Sequence, residues 1–169
     1  MSQKIVFMGT PEFSVPVLES LINSNHKILS VYSQPPSKSS RGQKITPSTV
    51  ELFSKKNSLN LRTPTNLDTD EEFNFLRSLN PDFVIVVAYG KIIPKRFLEL
   101  SKHGFYNIHA SILPKWRGAA PIQRSIMNLD KQTGISIMKI VEKLDAGPVM
   151  HQDKININEN IDALTTNAT

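Results

Sequence analysis

The sequence predicts an α/β fold with a doubly wound, mostly parallel sheet and helices on both faces. Short apolar runs alternate with amphipathic segments along the chain, as strands alternate with crossover helices in such folds. The run from 83 to 88, Phe-Val-Ile-Val-Val-Ala, is apolar throughout and rich in β-branched residues, which is typical of a central parallel strand covered on both faces. Pro11, Pro47 and Pro94 stand where first helical turns would begin, a position that tolerates a missing N–H.

In chain order, the apolar runs place strands near residues 4–9, 28–34, 59–63, 82–88, 104–109, 134–141 and 148–156. The amphipathic segments between them place helices near residues 11–23, 46–57, 69–79, 94–101 and 119–128. A sheet of this kind binds its ligand at the carboxyl ends of its strands. Three segments follow strands at these ends, namely Gly9-Thr10, Tyr89-Gly90 and His109. We therefore expect them to lie together at one ligand-binding edge of the sheet.

The bulk properties fit one domain with a buried core. A chain of 169 residues buries roughly two thirds of its unfolded surface. Its longest apolar run is far too short to span a bilayer, and the first residues enter a strand-like run at once, so we expect a cytoplasmic protein without membrane contact. The absence of cysteine excludes disulfides, thiol nucleophiles and Cys-ligated metal, and the four histidines are too scattered to indicate a metal centre.

The formal charge of +5 is compatible with a nucleic-acid partner and with ordinary solubilising charge. Its distribution is more informative, because the segment 34–49 carries Lys38, Arg41 and Lys44 without any acidic residue. This segment is rich in Ser and Pro and should form an exposed loop. Further cations near the proposed site are Lys91, Lys95, Arg96, Lys115, Arg117 and Arg124.

Three polar residues indicate carbonyl chemistry. Asn107 and His109 are two residues apart on an expected strand, so their side chains point to the same face. An amide can hold a carbonyl oxygen that becomes an oxyanion, and an imidazole handles a proton near neutral pH. Asp145 lies in the turn-forming sequence Leu-Asp-Ala-Gly-Pro at 144–148 and can polarise the imidazole if the fold brings the two together. Acyl transfer is the natural reaction class, although each residue alone also fits a structural role.

These residues resemble the folate-dependent formyltransferase family. Its active site carries an Asn-x-His pair before a Ser-Leu-Leu-Pro stretch, and an Asp in a Leu-Asp-x-Gly turn; this chain has Ser-Ile-Leu-Pro at 111–114, a mild departure. Further matches lie at 9–13, at 34–36 with 41–42, and at 86–94, so the resemblance covers essentially the whole chain. It implies a Rossmann-like formyltransferase fold with Asn107, His109 and Asp145 as the catalytic residues.

The resemblance also implies the substrates. The segment 116–124, Trp-Arg-Gly-Ala-Ala-Pro-Ile-Gln-Arg, resembles the branch of the family that formylates methionyl initiator tRNA for translation initiation, with 10-formyltetrahydrofolate as donor and without a metal. That branch contacts tRNA through a basic loop, which here contains Arg41 and Lys44. We expect a monomer. The folate pocket would be formed by Val87, Tyr89, Gly90, Ile92, Ser111, Ile112, Leu113 and Pro114.

The sequence leaves alternatives open. A formyltransferase of the same fold could act on a nucleotide or sugar-nucleotide amine, or could hydrolyse the formyl-folate. A fragment could also bind folate without turnover. By resemblance, residues 1–169 form a catalytic domain that is incomplete at its C-terminal end, and the β-barrel domain that follows in the family is absent.

Overall fold

A computed structural model describes residues 1–39 and 44–157, and divides the chain into two compact units, 1–105 and the part that starts at Tyr106. Arg41 lies outside the described residues, and for Lys44 only the backbone is described.

The first unit alternates strands with helices. Its elements are β1 (Lys4–Gly9), α1 (Val15–Ile22), β2 (Lys27–Tyr32), β3 (Ser37–Ser39), β4 (Lys44–Thr46), α2 (Thr49–Lys56), β5 (Leu61–Arg62), α3 (Asp70–Leu79) and β6 (Phe83–Val87). The strands β5, β2, β1 and β6 pair in that order, and every pairing is parallel. The short strands β3 and β4 form a separate antiparallel ladder.

Sequence patterns explain these elements. Val6, Phe7 and Met8 in β1 are fully buried, as expected for a central parallel strand. Side-chain hydroxyls cap the first turns of α2 and α3. Ser48 accepts a hydrogen bond from the backbone N–H of Glu51, and Thr69 accepts one from that of Glu72. Both starts match the sequence pattern of a capping box, in which an acidic residue stands three positions after the cap.

The second unit is built on antiparallel strands. It contains β7 (Phe105–His109) apart from its first residue, α4 (Pro121–Met127), β8 (Gln132–Lys139) and β9 (Val149–Asn156). Strand β8 pairs antiparallel with both β7 and β9. A short connection between β8 and β9 permits a hairpin, whereas parallel neighbours need a long crossover.

Three details differ from the sequence prediction. The helix expected near 94–101 is wrong, because only Lys95–Phe97 forms a 3-10 turn. Farther on, the N–H groups of Lys102 and His103 donate to the carbonyls of Pro81 and Asp82 instead of continuing a helix. Second, the prolines precede the helical turns by one residue or more, and Ser48, not Pro47, caps α2. Third, the ladder of β3 and β4 lies in a segment predicted as loop.

Candidate active site

Strand β7 carries two of the predicted catalytic residues. Asn107 lies opposite Met138 in the ladder with β8, and His109 lies opposite Ser136. Alternation along a strand puts both side chains on one face. His109 is 7% exposed. Asn107 is half-buried, and its side chain has no hydrogen-bond partner within the described part of the chain, so its amide is available to a ligand.

The third predicted residue, Asp145, lies in a tight turn after β8. Its φ is 44°, in the left-handed region that Asp tolerates better than most residues. Gly147 packs so closely on the Lys139 carbonyl that a Cβ would collide with it. The N–H of Lys139 donates to the Pro148 carbonyl at 3.0 Å and fixes the turn to the end of β8. The sequence Asp-Ala-Gly-Pro therefore holds the carboxylate in a defined place.

His109 and Asp145 come together although 36 positions separate them in the sequence. The imidazole Nδ1 lies 3.8 Å from Asp145 Oδ2, and the Asp145 side chain is 10% exposed. This distance exceeds a direct hydrogen bond and suits an ion pair or a bridging water. The same carboxylate oxygen accepts a hydrogen bond from the N–H of Gly118 at 2.8 Å. The structure thus brings the predicted pair to one place.

The other imidazole nitrogen has a backbone partner. His109 Nε2 lies 2.9 Å from the Trp116 carbonyl oxygen. A carbonyl oxygen only accepts, so Nε2 must carry the hydrogen. The neutral ring then presents an unprotonated Nδ1 to Asp145, and the protonated ring presents an N–H.

The residues after β7 form a loop closed by buried polar groups. Ser136 is fully buried; its hydroxyl donates to the Ser111 carbonyl at 2.6 Å and accepts from the Leu113 N–H at 3.1 Å. Gln152 of β9 donates to both the Leu113 carbonyl and the Ser136 hydroxyl. The Ser111 hydroxyl donates to the Lys115 carbonyl at 2.6 Å. Most polar groups of this loop therefore have internal partners.

Sequence reasoning missed Ser136 and Gln152. Ser136 faces His109 across the ladder, and Gln152 pairs with Ser136 in β9. Only strand alternation could have indicated them, and alternation does not distinguish a positioning side chain from an ordinary core position.

The segment 115–120 reaches its shape through unusual backbone angles. Trp116, Gly118 and Ala120 have φ values of 57°, 86° and 56°. For a residue other than glycine, such a conformation costs of order 1–3 kcal/mol and persists only where surrounding contacts enforce it. Asp130, which sequence reasoning also missed, supplies such contacts by accepting hydrogen bonds from Lys115 Nζ and Trp116 Nε1, both at 2.7 Å.

The predicted pocket residues of the first unit follow β6. Val87 and Tyr89 are buried, and the Tyr89 carbonyl accepts hydrogen bonds from Thr10 Oγ1 at 2.8 Å and Gln34 Nε2 at 3.0 Å. Gly90 has a φ of 79° and is exposed, and Ile92 is 88% exposed. Burial raises the pKa of the Tyr89 hydroxyl. Backbone turns and Ile92, rather than the Tyr89 ring, therefore face solvent here.

Several of the cations that the sequence placed near the site have structural partners. Lys91 donates to the carbonyls of Pro64 and Thr65, and Arg96 forms ion pairs with Asp68 and Asp70. Lys115 pairs with Asp130. The described residues contain no cluster of His, Asp and Glu able to hold a metal ion, and none of their helices has the length and apolar character to cross a membrane.

Known proteins share this sequence and fold. The model of the family described as "Formyl transferase" matches residues 3–168. A methionyl-tRNA formyltransferase of Pelagibacter ubique is 58% identical, and the match covers 98% of this chain and 54% of that protein. One of Caulobacter vibrioides is 47% identical, with 91% and 50% covered. The chain spans about half the length of these curated relatives.

Solved structures show the fold. A phosphoribosylglycinamide formyltransferase of Bacillus halodurans superimposes with a TM-score of 0.81 at 20% identity, covering 98% of this chain and 86% of that one. A formyltetrahydrofolate deformylase of Pseudomonas syringae gives a TM-score of 0.75 at 20% identity, covering 98% and 55%. The predicted Rossmann-like α/β fold is confirmed. Since the family model matches nearly every residue, the chain belongs to the formyl transferase family.

Proposed function

We propose that this chain transfers a formyl group from 10-formyltetrahydrofolate to the amino group of methionyl initiator tRNA. Its curated relatives at 46–58% identity carry the name methionyl-tRNA formyltransferase, and this observation carries the proposal. The arrangement of Asn107, His109 and Asp145 supports it, because acyl transfer to an amine needs an oxyanion donor and a proton acceptor near the same carbon.

In the proposed reaction the amine adds to the formyl carbon, and the formyl oxygen gains negative charge. The side-chain N–H of Asn107 is available to donate to that oxygen, an effect worth roughly 3–4 kcal/mol in other oxyanion holes. The free amide and its place on the same strand face as His109 support this role. When protonated, His109 would strengthen the positive potential at the oxygen.

Asp145 is the proposed acceptor of the proton that the amine loses. Its carboxylate is held by the Gly118 N–H and stands 3.8 Å from His109 Nδ1. The space between Asp145 and His109 admits transfer of this proton through one water molecule. The water then gives the proton to the departing folate nitrogen. The net step forms one carbon–nitrogen bond, breaks another and moves one proton between the two nitrogens.

We propose a folate pocket with two kinds of contribution. Gly90, Ile92 and Pro114 are exposed and offer backbone and apolar surface to a ring. The remaining proposed pocket residues shape the site from beneath, since they are buried or half-buried and their polar groups are largely used within the protein: Val87, Tyr89, Ser111, Ile112 and Leu113. For tRNA we propose contacts from the basic loop with Arg41 and Lys44.

The test joins this chain to the sequence that follows the matched part in the Pelagibacter relative. The chimera is assayed for formylation of methionyl initiator tRNA with 10-formyltetrahydrofolate, and the intact relative serves as positive control. We expect transfer by the chimera and a loss of about 100-fold or more in His109→Ala and Asp145→Ala. His151→Ala is the matched control, because this histidine is exposed on β9 and pairs only with Asp153 in the described structure.

Three results would overturn the proposal. The first is a folded chimera that formylates a nucleotide or sugar-nucleotide amine and not the tRNA. The second is release of formate without an acceptor, and the third is folate binding without turnover. Near-normal transfer by His109→Ala or Asp145→Ala would refute the catalytic assignment even if the tRNA is the substrate.

A further inference from the structure

The carboxylate of Asp130, which is not one of the three proposed catalytic residues, accepts hydrogen bonds from three side chains. Its side chain is 6% exposed. Oδ1 accepts from Lys115 Nζ at 2.7 Å and from Asn128 Nδ2 at 2.8 Å, and Oδ2 accepts from the Trp116 indole N–H at 2.7 Å. Charge-assisted hydrogen bonds of this length are the strong ones, so this carboxylate can hold a loop.

The carboxylate is itself anchored to helix α4. The Asp130 N–H donates to the Ser125 carbonyl at 3.0 Å, and the Asn128 N–H donates to the Arg124 carbonyl at 3.0 Å. Ser125 is fully buried. Backbone hydrogen bonds therefore attach Asp130 to the end of α4, in addition to its side-chain contacts with the loop.

The loop residue that Asp130 holds is the one that contacts the catalytic imidazole. Trp116 has a φ of 57°, and its carbonyl faces His109 Nε2 at 2.9 Å. The adjacent Lys115 is held twice, by its Nζ on Asp130 and by its carbonyl on the Ser111 hydroxyl. The hydrogen bonds of the Lys115 ammonium and the Trp116 indole to Asp130 thus fix both residues. The Trp116 carbonyl, which follows them in the chain, orients the His109 ring.

We infer that Asp130 is a positioning residue for His109, acting through Trp116. By holding the indole, Asp130 keeps the Trp116 carbonyl on Nε2, and this keeps the hydrogen of the neutral ring on Nε2 and Nδ1 toward Asp145. The inference rests on the proposed function for its effect on turnover, but not for its effect on the imidazole.

Imidazole nitrogen NMR tests the structural part directly. The chain is labelled with 15N-histidine, and the signals of the four histidines are assigned by single replacements. When its imidazole is neutral, His109 in the unaltered chain should show the pattern of an Nε2–H tautomer. Asp130→Ala and Trp116→Phe should both shift His109 toward a mixture of tautomers. Trp116→Phe removes the indole N–H donor while keeping an aromatic ring and the Asp130 carboxylate, so it serves where Asp130→Ala does not fold.

Kinetics with the chimera tests the consequence. Displacing the ring should lower kcat by about 10- to 100-fold, as small misplacements of catalytic groups do. The KM for 10-formyltetrahydrofolate should change by less than about twofold, because Asp130 is not placed in contact with either substrate. The double variant Asp130→Ala, Trp116→Phe should be no slower than the worse single variant, since both changes break one linkage. Asp153→Ala, an exposed β9 carboxylate, is the matched control.

The outcomes separate the two proposals. Unchanged His109 signals in both folded variants would overturn the positioning role, whatever the activity. Independent, multiplicative losses in the double variant would also overturn it. A chimera that does not formylate tRNA, but whose His109 tautomer responds to Asp130→Ala, would refute the proposed function and leave the positioning role standing.

Discussion

The side-chain amide of Asn107 is free to form a hydrogen bond with a ligand. Its amide has no partner among the described residues, although it stands on the same strand face as the buried His109. We therefore expect Asn107→Ala in the chimera to lower kcat by about 100- to 1,000-fold, as loss of one oxyanion-hole donor does. Thermal unfolding should be nearly unchanged, because no internal hydrogen bond is lost. A kcat within threefold of the parent would contradict the oxyanion role; Asn156→Ala on the exposed edge of β9 is the control.

Asp130 gives a stability signature in acid. Hydrogen bonds from Lys115, Asn128 and Trp116 lower its pKa from 3.8 to about 2. A pKa lowered in the folded state contributes stability that is complete above the unfolded pKa and is lost as pH falls through the folded pKa. We therefore expect the difference in unfolding free energy between the parent and Asp130→Asn to be constant above pH 5 and to shrink from about pH 4 to pH 2.

Urea unfolding of both proteins at several pH values measures this difference. Other carboxylates titrate equally in the two proteins and largely cancel in the comparison. A difference that stays constant down to pH 2 would show that the Asp130 carboxylate is not stabilised by its three donors.

The candidate site residues differ in how far the sequence alone could indicate them. Asn107, His109 and Asp145 were predicted because motifs with a known chemistry contain them. Asp130 was missed, since its role depends on the left-handed Trp116 turn and on the end of α4, and neither contact has a local sequence signal. Positioning residues of this kind are set by tertiary geometry alone.

Among the elements, the turn from 144 to 148 depends on one glycine. A Cβ at Gly147 would collide with the backbone oxygen of Lys139, which cannot move without disturbing β8. We expect Gly147→Ala to cost about 2–4 kcal/mol in unfolding free energy. Gly118→Ala is the matched control: nothing lies within 4 Å of its Cβ, so it should cost only about 1 kcal/mol for its φ of 86°. Equal losses in chemical denaturation would contradict the steric argument.

The charge network between β5 and α3 stabilises the first unit. Arg62 donates to Glu72 through Nε at 2.8 Å and Nη2 at 2.6 Å; its side chain is 24% exposed and that of Glu72 is 7% exposed. We expect Arg62→Met to cost roughly 3 kcal/mol, because it leaves a buried carboxylate unpaired. Arg96→Met breaks the ion pairs with Asp68 and Asp70, which are more exposed than the Arg62–Glu72 pair, and should cost about 1 kcal/mol or less. Thermal or urea unfolding that ranks the two variants in the opposite order would refute this assignment.

Element type followed from periodicity where the pattern was long, as in β1, β6 and α3. The helix predicted near 94–101 is wrong because the apolar and charged residues of this segment contact residues that are distant in the sequence. Phe97 is fully buried next to Phe73, and Arg96 reaches across to Asp68 and Asp70. A segment this short is shaped by such tertiary partners, and periodicity cannot reveal them.

For the whole molecule, the fold class was predictable because it depends on the alternation of many elements, so errors at single boundaries do not change it. The net charge of +5 was less informative. Five of the cations near the proposed site fall into two groups: Lys91, Arg96 and Lys115 are bound within the protein, whereas Arg117 and Arg124 are exposed and have no partner among the described residues. Of these five side chains, those of Arg117 and Arg124 can contact phosphate without breaking a hydrogen bond or ion pair of the described structure.

This division predicts how tRNA binding responds to salt, given the proposed function. Each phosphate contact adds about one unit to the slope of log affinity against log salt concentration. We expect Arg117→Ala and Arg124→Ala in the chimera each to lower the magnitude of that slope by up to one for methionyl initiator tRNA. Arg96→Ala, a change of the same charge, should leave the slope unchanged because Asp68 and Asp70 already neutralise this guanidinium. Filter binding over a range of NaCl concentrations measures the slopes, and a reduction in Arg96→Ala equal to that in the other two would show that internal pairing does not decide which cations meet the tRNA.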